Sequence, residues 1–141
     1  NKSLDIRVEL NDLSELAQSE INIALVYRNL GQYNHALDYL NRSLNNLRKI
    51  GNNSLIANCL NQIGSIYLKQ KRYDLALENY LNALKIRQEL NDQTQIAASL
   101  NNIGLIYDEI GNYQKALEKA RKEMETAKAF RPVEEPMLKT S

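Results

Sequence analysis

The sequence predicts an all-α fold in which antiparallel helix pairs stack in a row, an α-solenoid. The first observation behind this prediction is a fixed period of 40 residues, which is typical of stacked-repeat proteins. The positions that recur in all three copies are Ile23, Ile63 and Ile103; Tyr27, Tyr67 and Tyr107; Tyr33, Tyr73 and Tyr113; and Ala36-Leu37, Ala76-Leu77 and Ala116-Leu117. The second observation is the helical spacing of apolar residues within each copy, and the third is the absence of sustained apolar–polar alternation.

The first helix of each copy is clearest in the middle one. Leu60, Ile63 and Tyr67 lie at i, i+3 and i+7, which places them on one face of a helix. We expect this helix over residues 54–69. Its apolar face is wide but its remaining face is polar, so the first helices should line one side of the array.

The second helix of each copy follows a short turn. Asp74 has the side chain of an N-cap, so the helix should begin there and run to about Leu90. Its apolar stripe consists of Ala76, Leu77, Tyr80, Ala83 and Leu84. A single helix pair cannot bury both stripes, so we expect each pair to pack on the next.

The turn between the two helices needs a residue with positive φ. Gly31 and Gly111 stand just after the first helices of the outer copies, where glycine serves this purpose. Lys71 occupies the same place in the middle copy, at an expected cost of about 1 kcal/mol relative to glycine. A small residue that allows two helices to approach closely is present at one position of every copy: Ala24, Gly64 and Gly104.

The recurring residues of the third copy resemble the tetratricopeptide repeat, and the resemblance covers about residues 11–130. They are Ile103-Gly104, Tyr107, Gly111, Tyr113 and Ala116-Leu117. The period is longer than the usual 34 residues, and the proline after the second helix is missing. Long repeats of the Leu-Asn-Asn-Ile-Gly type resemble the kinesin light chain class, the Leu-Gly-Asn adaptors, and bacterial regulators and sensor kinases. The resemblance implies a right-handed superhelix with a concave groove.

Both ends of the chain depart from the repeat. Residues 1–12 match residues 81–92, so we interpret them as the end of a preceding repeat's second helix. A fragment of a longer array is favoured over a natural N-terminal capping helix. Pro132 and Pro136 argue that the array stops before them. The predicted parts are residues 1–12, repeats at 13–52, 53–92 and 93–130 (the last one terminal), and a loose or non-native tail at 131–141.

The composition excludes several classes of function. Of 141 residues, 43% are apolar and 25% are charged, and the net charge is +1. Proteins that bind nucleic acid or membrane surfaces normally carry a strong basic excess, so we expect neither partner. The single cysteine, Cys59, fits a reducing compartment, and we expect a cytoplasmic location.

The resemblance implies that exposed residues of the first helices line a groove for a peptide. By register these residues are Gln18, Ile21, Asn22, Leu25, Arg28 and Asn29 in the first copy, Asn58, Asn61, Gln62, Ser65, Leu68 and Lys69 in the second, and Ala98, Asn101, Asn102, Leu105, Asp108 and Glu109 in the third. The basic residues of arrays that clamp a C-terminal carboxylate are absent, so we predict no such clamp.

Amide side chains share the same groove positions in successive copies. Asn22, Gln62 and Asn102 occupy one register, and Asn61 and Asn101 occupy the next. Each amide carries donors and an acceptor, so such a row suits a peptide backbone. Leucines would anchor apolar side chains, the basic residues of the first two copies would meet acids, and the acidic residues of the third would meet bases. The alternative is that these asparagines only form a solvated face.

The sequence therefore predicts a protein-interaction scaffold or adaptor. A regulatory or sensor module of a larger signalling protein is the alternative, and an RNA-binding helical repeat is disfavoured because the groove is not basic. We expect no enzyme, metal or cofactor: His35 should be a surface residue, Cys59 a small buried filler, and the tyrosines core residues. The apolar residues Leu4, Ile6 and Leu10 predict possible self-association through the N-terminal edge.

Overall fold

The computed structural model describes residues 2–129, and within that range the structure is all-α. Its helices are α1 (Lys2–Asn29), α2 (Tyr33–Ile50), α3 (Asn53–Lys69), α4 (Tyr73–Glu89) and α5 (Gln93–Ala129). Helices α1 and α2 form one antiparallel pair and α3 and α4 form the next, with α2 packed on α3. The predicted α-solenoid of stacked helix pairs is confirmed. The predicted tail at 131–141 and the side chains of Leu4 and Ile6 lie outside the described residues.

Left-handed residues close the turns between the helices. Gly31 has a φ of 78°, and Lys71 has a φ of 61° at the same position of the next pair. The hydrogen bonding is also the same, because the N–H of Gln32 donates to the Tyr27 carbonyl and the N–H of Arg72 to the Tyr67 carbonyl, both at 2.9 Å. The prediction that lysine takes a glycine conformation at position 71 is confirmed.

The predicted cap of α4 is wrong. The helix begins at Tyr73 and its N-cap is Arg72, which makes no capping hydrogen bond through its side chain. Asp74 lies inside the first turn instead. A carboxylate there still interacts favourably with the positive end of the helix dipole, so the residue keeps a stabilising role without capping the helix.

The core joins α1, α2 and α3. Its buried residues include Ala17, Ile21, Ala24, Ala36, Leu40, Leu47, Cys59, Leu60, Ile63 and Ile66. Two buried side chains among these helices are hydrogen-bonded to the backbone: the Ser43 hydroxyl donates to the Ala17 carbonyl at 2.9 Å, and the Cys59 thiol donates to the Leu40 carbonyl at 3.1 Å. Burial of each large aliphatic side chain stabilises the fold by about 2 kcal/mol.

The outermost helices are longer than the repeat predicts. Gly111 lies inside α5, so the predicted turn at this glycine is wrong. The side chains of residues 112–126 are all exposed, so no buried side chain of this segment favours a turn at Gly111 over a continuous helix. The Lys122 ammonium lies 3.6 Å from the Glu118 carboxylate one turn earlier, a pair that supports the straight helix.

The boundary between the first two predicted parts, at residues 12 and 13, falls inside a helix. Leu10, Asn11 and Asp12 are helical in α1. The identical tripeptide at residues 90–92 forms the turn between α4 and α5, in which Asn91 has a φ of 56°. The local sequence therefore permits both conformations, and packing decides between them.

The chain divides into two compact units, one ending at Ile106 and the other beginning at Tyr107. In the described part of the second unit the backbone is one helix, and Tyr107 and Tyr113 are exposed over more than half of their surface. The prediction that these two tyrosines are core residues is wrong. In the first unit Tyr27 and Tyr67 are partly buried against the core, as predicted.

Candidate functional site

The predicted groove residues of the first unit lie on α1, α3 and the beginning of α5. We call this surface the first-helix face; it comprises Gln18, Asn22, Leu25, Arg28, Asn58, Asn61, Gln62, Ser65, Leu68, Lys69, Asn101, Asn102 and Leu105. All of these side chains are exposed or half-buried. Ile21 is the exception among the predicted positions of α1, because it is buried in the core and its assignment to the groove is wrong.

Arg28 connects α1 to α3 across this face. Its Nη1 donates to Gln62 Oε1 at 2.8 Å and to Ser65 Oγ at 3.1 Å. Its Nη2 lies 3.5 Å from Asn29 Oδ1. An arginine fork satisfies acceptors in fixed directions, so this residue sets the lateral spacing of the two helices at that end.

The contacts of Arg28 extend into a polar row. The amide of Gln62 donates to Asn58 Oδ1 at 3.5 Å, which carries the row along α3. Ser65 also hydrogen-bonds with Tyr80 of α4, a buried residue. Burial raises the pKa of Tyr80, and the hydrogen bond with Ser65 and the charge of Arg28 oppose that rise. The phenol of Tyr80 therefore stays neutral, and it contacts the polar row through Ser65.

Two of the predicted amides meet across α3 and α5. Asn102 Nδ2 donates to Asn61 Oδ1 at 3.3 Å. Within α1, Gln18 Nε2 donates to Asn22 Oδ1 at 3.1 Å. Each amide has two N–H groups and an oxygen with two lone pairs, so these bonds leave further donors and acceptors. Asn101 is exposed on the same face.

A cavity of about 620 Å³ lies at the end of this face where α1 and α3 terminate. Its lining residues are Arg28, Asn29, Leu30, Gly31, Tyr33 and Lys69. Two cations line it and no carboxylate does. The arrangement therefore suits an acidic group on a ligand, as the positions of Arg28 and Lys69 predict.

The remaining predicted residues are less connected. Leu25 and Leu68 are half-buried, and Leu105 is exposed over half of its surface. Asp108 and Glu109 are exposed and belong to the second unit. The charge gradient along the groove stays a prediction.

Sequence reasoning missed two residues of the site, Tyr33 and Tyr80. The repeat pattern assigns both side chains to packing, because Tyr33 recurs in every copy and Tyr80 aligns with apolar residues. The position of Tyr80 holds Leu40 in the first copy and Ala120 in the third. A phenol at a position otherwise apolar is the signal that a hydrogen-bond partner lies nearby.

His35 and Cys59, which sequence reasoning set aside, lie where it expects them. His35 is exposed, and its ring stacks on Tyr27 at 5.2 Å between centroids. Cys59 is fully buried, and burial raises the pKa of its thiol to about 12. In the part of the chain that the structure describes, no cluster of residues suited to a metal ion occurs. No helix there is long and apolar enough to cross a membrane.

Comparisons with known proteins agree with this geometry. Sequence models described as tetratricopeptide repeat match residues 55–129 and, separately, residues 17–46. No curated protein sequence gives a significant match.

Two solved structures are similar in fold. BtubC (BKLC) from P. vanneervenii is 23% identical, with a TM-score of 0.65 over 92% of this chain and 54% of that one.

The second similar structure is the N-terminal domain of stress-induced protein-1 (STI-1) from C. elegans. It is 12% identical, with a TM-score of 0.59 over 75% of this chain and 80% of that one. Identities this low show a shared fold. This chain spans about half the length of BtubC.

The longer of the two matched segments covers more than half of the 141 residues. The helix pairs, the left-handed turns at equal positions and the similar solved structures all agree with it. The chain belongs to the tetratricopeptide repeat family.

Proposed function

We propose that this chain is an interaction scaffold that binds an extended peptide along the first-helix face, with an acidic side chain of the peptide in the cavity at Arg28 and Lys69. Tetratricopeptide repeats generally mediate protein–protein interaction and are a non-catalytic fold. A cytoplasmic location belongs to the same proposal, since the free thiol of Cys59 suits a reducing compartment.

The observation that carries the proposal is the polar row that begins at Arg28. The bonds from Arg28 to Gln62 and Ser65 fix α1 and α3 side by side, and the bond from Asn102 to Asn61 does the same for α3 and α5. Helices packed at about 10 Å present roughly 30 Å of face in three copies, which is the length of about nine extended residues. The fixed amides would meet the peptide backbone without selecting its side chains.

Peptide selection followed by variant binding tests the proposal. A random nine-residue library, acetylated and amidated at its ends, is selected on the purified chain, and the consensus peptide is measured by fluorescence anisotropy. Asn61→Ala with Asn101→Ala should weaken binding about thirtyfold, because each of the two lost hydrogen bonds is worth about 1 kcal/mol. Asn41→Ala with Asn45→Ala, two exposed positions on α2, is the matched control. Equal affinity in both double variants would contradict the amide row.

The acidic subsite has its own test. If the selected peptide contains an aspartate or glutamate, its replacement by the amide should weaken binding to the wild-type chain. The same replacement should have little effect on the Lys69→Gln variant, because the interaction energy of a contacting pair disappears when either partner is removed. Lys69 is exposed and lies at the end of α3, so this substitution leaves the core intact. A consensus without acidic residues would contradict the assignment of this cavity.

An exposed apolar surface on α1 supports a second proposal, self-association. Leu16, Ile23 and Val26, which we call the N-terminal apolar face, are each exposed over more than 40% of their surface. The residues at the same positions of α3 are Ile56, Ile63 and Ile66, and all of these are buried. This surface is buried in the second repeat and exposed in the first, so it suits contact with a second molecule of the same protein. In a regulatory or sensor protein, its own effector domain would take that place.

A further inference from the structure

Arg87 of α4 is a buried cation that forms no salt bridge with any described residue. Its side chain is only 6% exposed, and its Nη1 donates to Ser99 Oγ at 2.6 Å. Among the described residues, no carboxylate oxygen lies within 4.0 Å of its guanidinium. Burial lowers the pKa of Arg87, and the more distant charge of Asp92 opposes that shift. A guanidinium removed from water without a carboxylate in contact is destabilised, so a bound group that carries a negative charge would stabilise it.

The guanidinium borders a cavity of about 220 Å³. The lining residues are Ser54, Leu55, Asn58, Arg87, Leu90, Asp92 and Gln95, which come from the start of α3, the end of α4 and the start of α5. All of them belong to the first compact unit. Asn58 lies in the second turn of α3 and Lys69 at its end, about 16 Å apart by helix rise, so this cavity is separate from the one at Arg28.

The repeat itself supplies a comparison without the charge. At the junction of α2 and α3, Leu47 occupies the position of Arg87, and Cys59 that of Ser99, and both are fully buried. Asn52, the counterpart of Asp92, reaches across to Ser14 with an Nδ2–Oγ distance of 3.5 Å. The fold therefore does not require an arginine at this position, and a leucine packs there without one.

The rest of the cavity lining suits an oxyanion. Arg87 uses one of its five N–H groups on Ser99, so further donors remain for a planar or tetrahedral oxyanion. Asn58 and Gln95 add amide groups, and the positive end of α5 begins beside Asp92. Asp92 is the one carboxylate of the lining. Its Oδ1 accepts from the Gln95 N–H at 3.3 Å, and its exposed position lets water screen the charge.

We propose that this cavity is a binding site for a small oxyanion, a carboxylate or phosphate group, with Arg87 as its principal ligand. Ser54, Asn58 and Gln95 supply the surrounding hydrogen-bond groups. The site shares Asn58 with the polar row, but its principal residue, Arg87, takes no part in the peptide proposal, so either proposal can fail without the other.

Titrations of the whole chain with two simple anions, followed by NMR, test the proposal. Sodium acetate and inorganic phosphate are added separately at constant ionic strength, with chloride as the balancing ion. Saturable shifts are expected at the Arg87 Nε–H group and at the Gln95 and Ser99 amides. The anion that saturates at the lower concentration identifies the group as carboxylate or phosphate. Absence of saturation by about 50 mM for both anions, well above a millimolar Kd, overturns the proposal.

Arg87→Leu is the decisive variant, because Leu47 shows that leucine packs in this position. It should abolish the shifts, whereas Arg121→Leu, which removes the same charge from an exposed position, should retain them. Shifts that persist in Arg87→Leu overturn the proposal. A thermal melt adds an independent measurement: without anions, Arg87→Leu should melt at or above the wild-type Tm, and anions should raise only the wild-type Tm. A lower Tm for the variant would show that Arg87 has a structural role instead.

Discussion

Gly64 of α3 lies directly against the ring of Tyr80 of α4. A β-carbon at Gly64 would stand 3.0 Å from Cδ1 of that ring and 3.2 Å from the carbonyl oxygen of Ala76. At the same position of the repeat, a β-carbon at Gly104 would meet no atom within 4 Å. The two glycines are therefore equivalent in sequence and different in surroundings.

Alanine at these two glycines should have opposite effects on stability. Gly64→Ala forces α3 and α4 apart and should lower the free energy of unfolding by about 1–3 kcal/mol. Gly104→Ala should raise it by about 0.5–1 kcal/mol, because alanine favours the helix and nothing obstructs its methyl group. Urea denaturation of the two variants measures both effects. An equal loss at both positions would mean that a second helix packs on Gly104.

Cys59 should be unreactive in the folded chain. Its pKa of about 12 keeps the thiol neutral at pH 8, and it is fully buried, so a maleimide should modify it only after unfolding. The control places the thiol at the same repeat position of α1, by combining Ser19→Cys with Cys59→Ser. Ser19 is exposed, so this control should react within minutes. Comparable labelling rates in urea-free buffer would contradict the burial.

The same thiol makes stability depend on pH at the alkaline end. Between the ordinary value of 9.0 and about 12, the unfolded thiol is ionised while the folded one stays protonated. The stability that the neutral thiol contributes is therefore complete below pH 9 and falls as pH rises, by about 1.4 kcal/mol per pH unit. Subtracting the profile of Cys59→Ser isolates this contribution. A difference that does not change between pH 8 and pH 10.5 would contradict the raised pKa.

A charge on the N-terminal apolar face should weaken self-association. Ile23→Asp with Val26→Asp places two carboxylates on a surface whose counterparts in α3 are buried. Sedimentation velocity over a range of concentrations should show dimers or larger species for the wild-type chain and a monomer for this variant. Leu81→Asp, at an exposed leucine of α4, should associate like the wild type. A wild-type chain that stays monomeric at the highest concentration refutes the interface.

The second half of α5 should exchange its amide hydrogens quickly. The side chains of residues 112–126 are all exposed, and a helix of that length gains little stability from its own backbone in water. Protection in hydrogen exchange should fall after Ile106, which is fully buried, and approach random-coil rates before residue 126. Strong protection across Tyr113–Glu125 would show that this segment packs against something.

The sequence predicted the inner elements well because their signals are local and repeated. The first helix of the middle copy was expected at residues 54–69 and occupies Asn53–Lys69. The left-handed lysine at position 71 followed from its alignment with Gly31. In both cases the helical spacing of the apolar residues and the conformation of the turn agree with the tertiary structure, because the middle repeat has a helix on each side to pack against.

The ends and the side-chain pairs were harder to predict for a physical reason. Gly111 permits a turn but does not compel one, and α5 continues through it as one helix where the side chains that follow are exposed. Ile21 shares its register with Asn61, but that register lies at the edge of the face: the isoleucine is buried in the core, whereas the asparagine is half-buried and bonds to Asn102. The bond from Arg28 to Gln62 joins residues of different repeats, a pairing that no single-copy pattern contains.

The α1 helix continues without a break through Asn11, and this continuity has a kinetic consequence. At the inner junction the same tripeptide bends at Asn91, where the chain passes from α4 to α5. If a partner binds α1 with the turn that Asn91 makes between α4 and α5, the α1 helix must first bend at Asn11. This bend breaks the backbone hydrogen bonds of about one helical turn. The association rate constant for such a partner would then be below the diffusion limit, and it would depend on how often the α1 helix opens at Asn11.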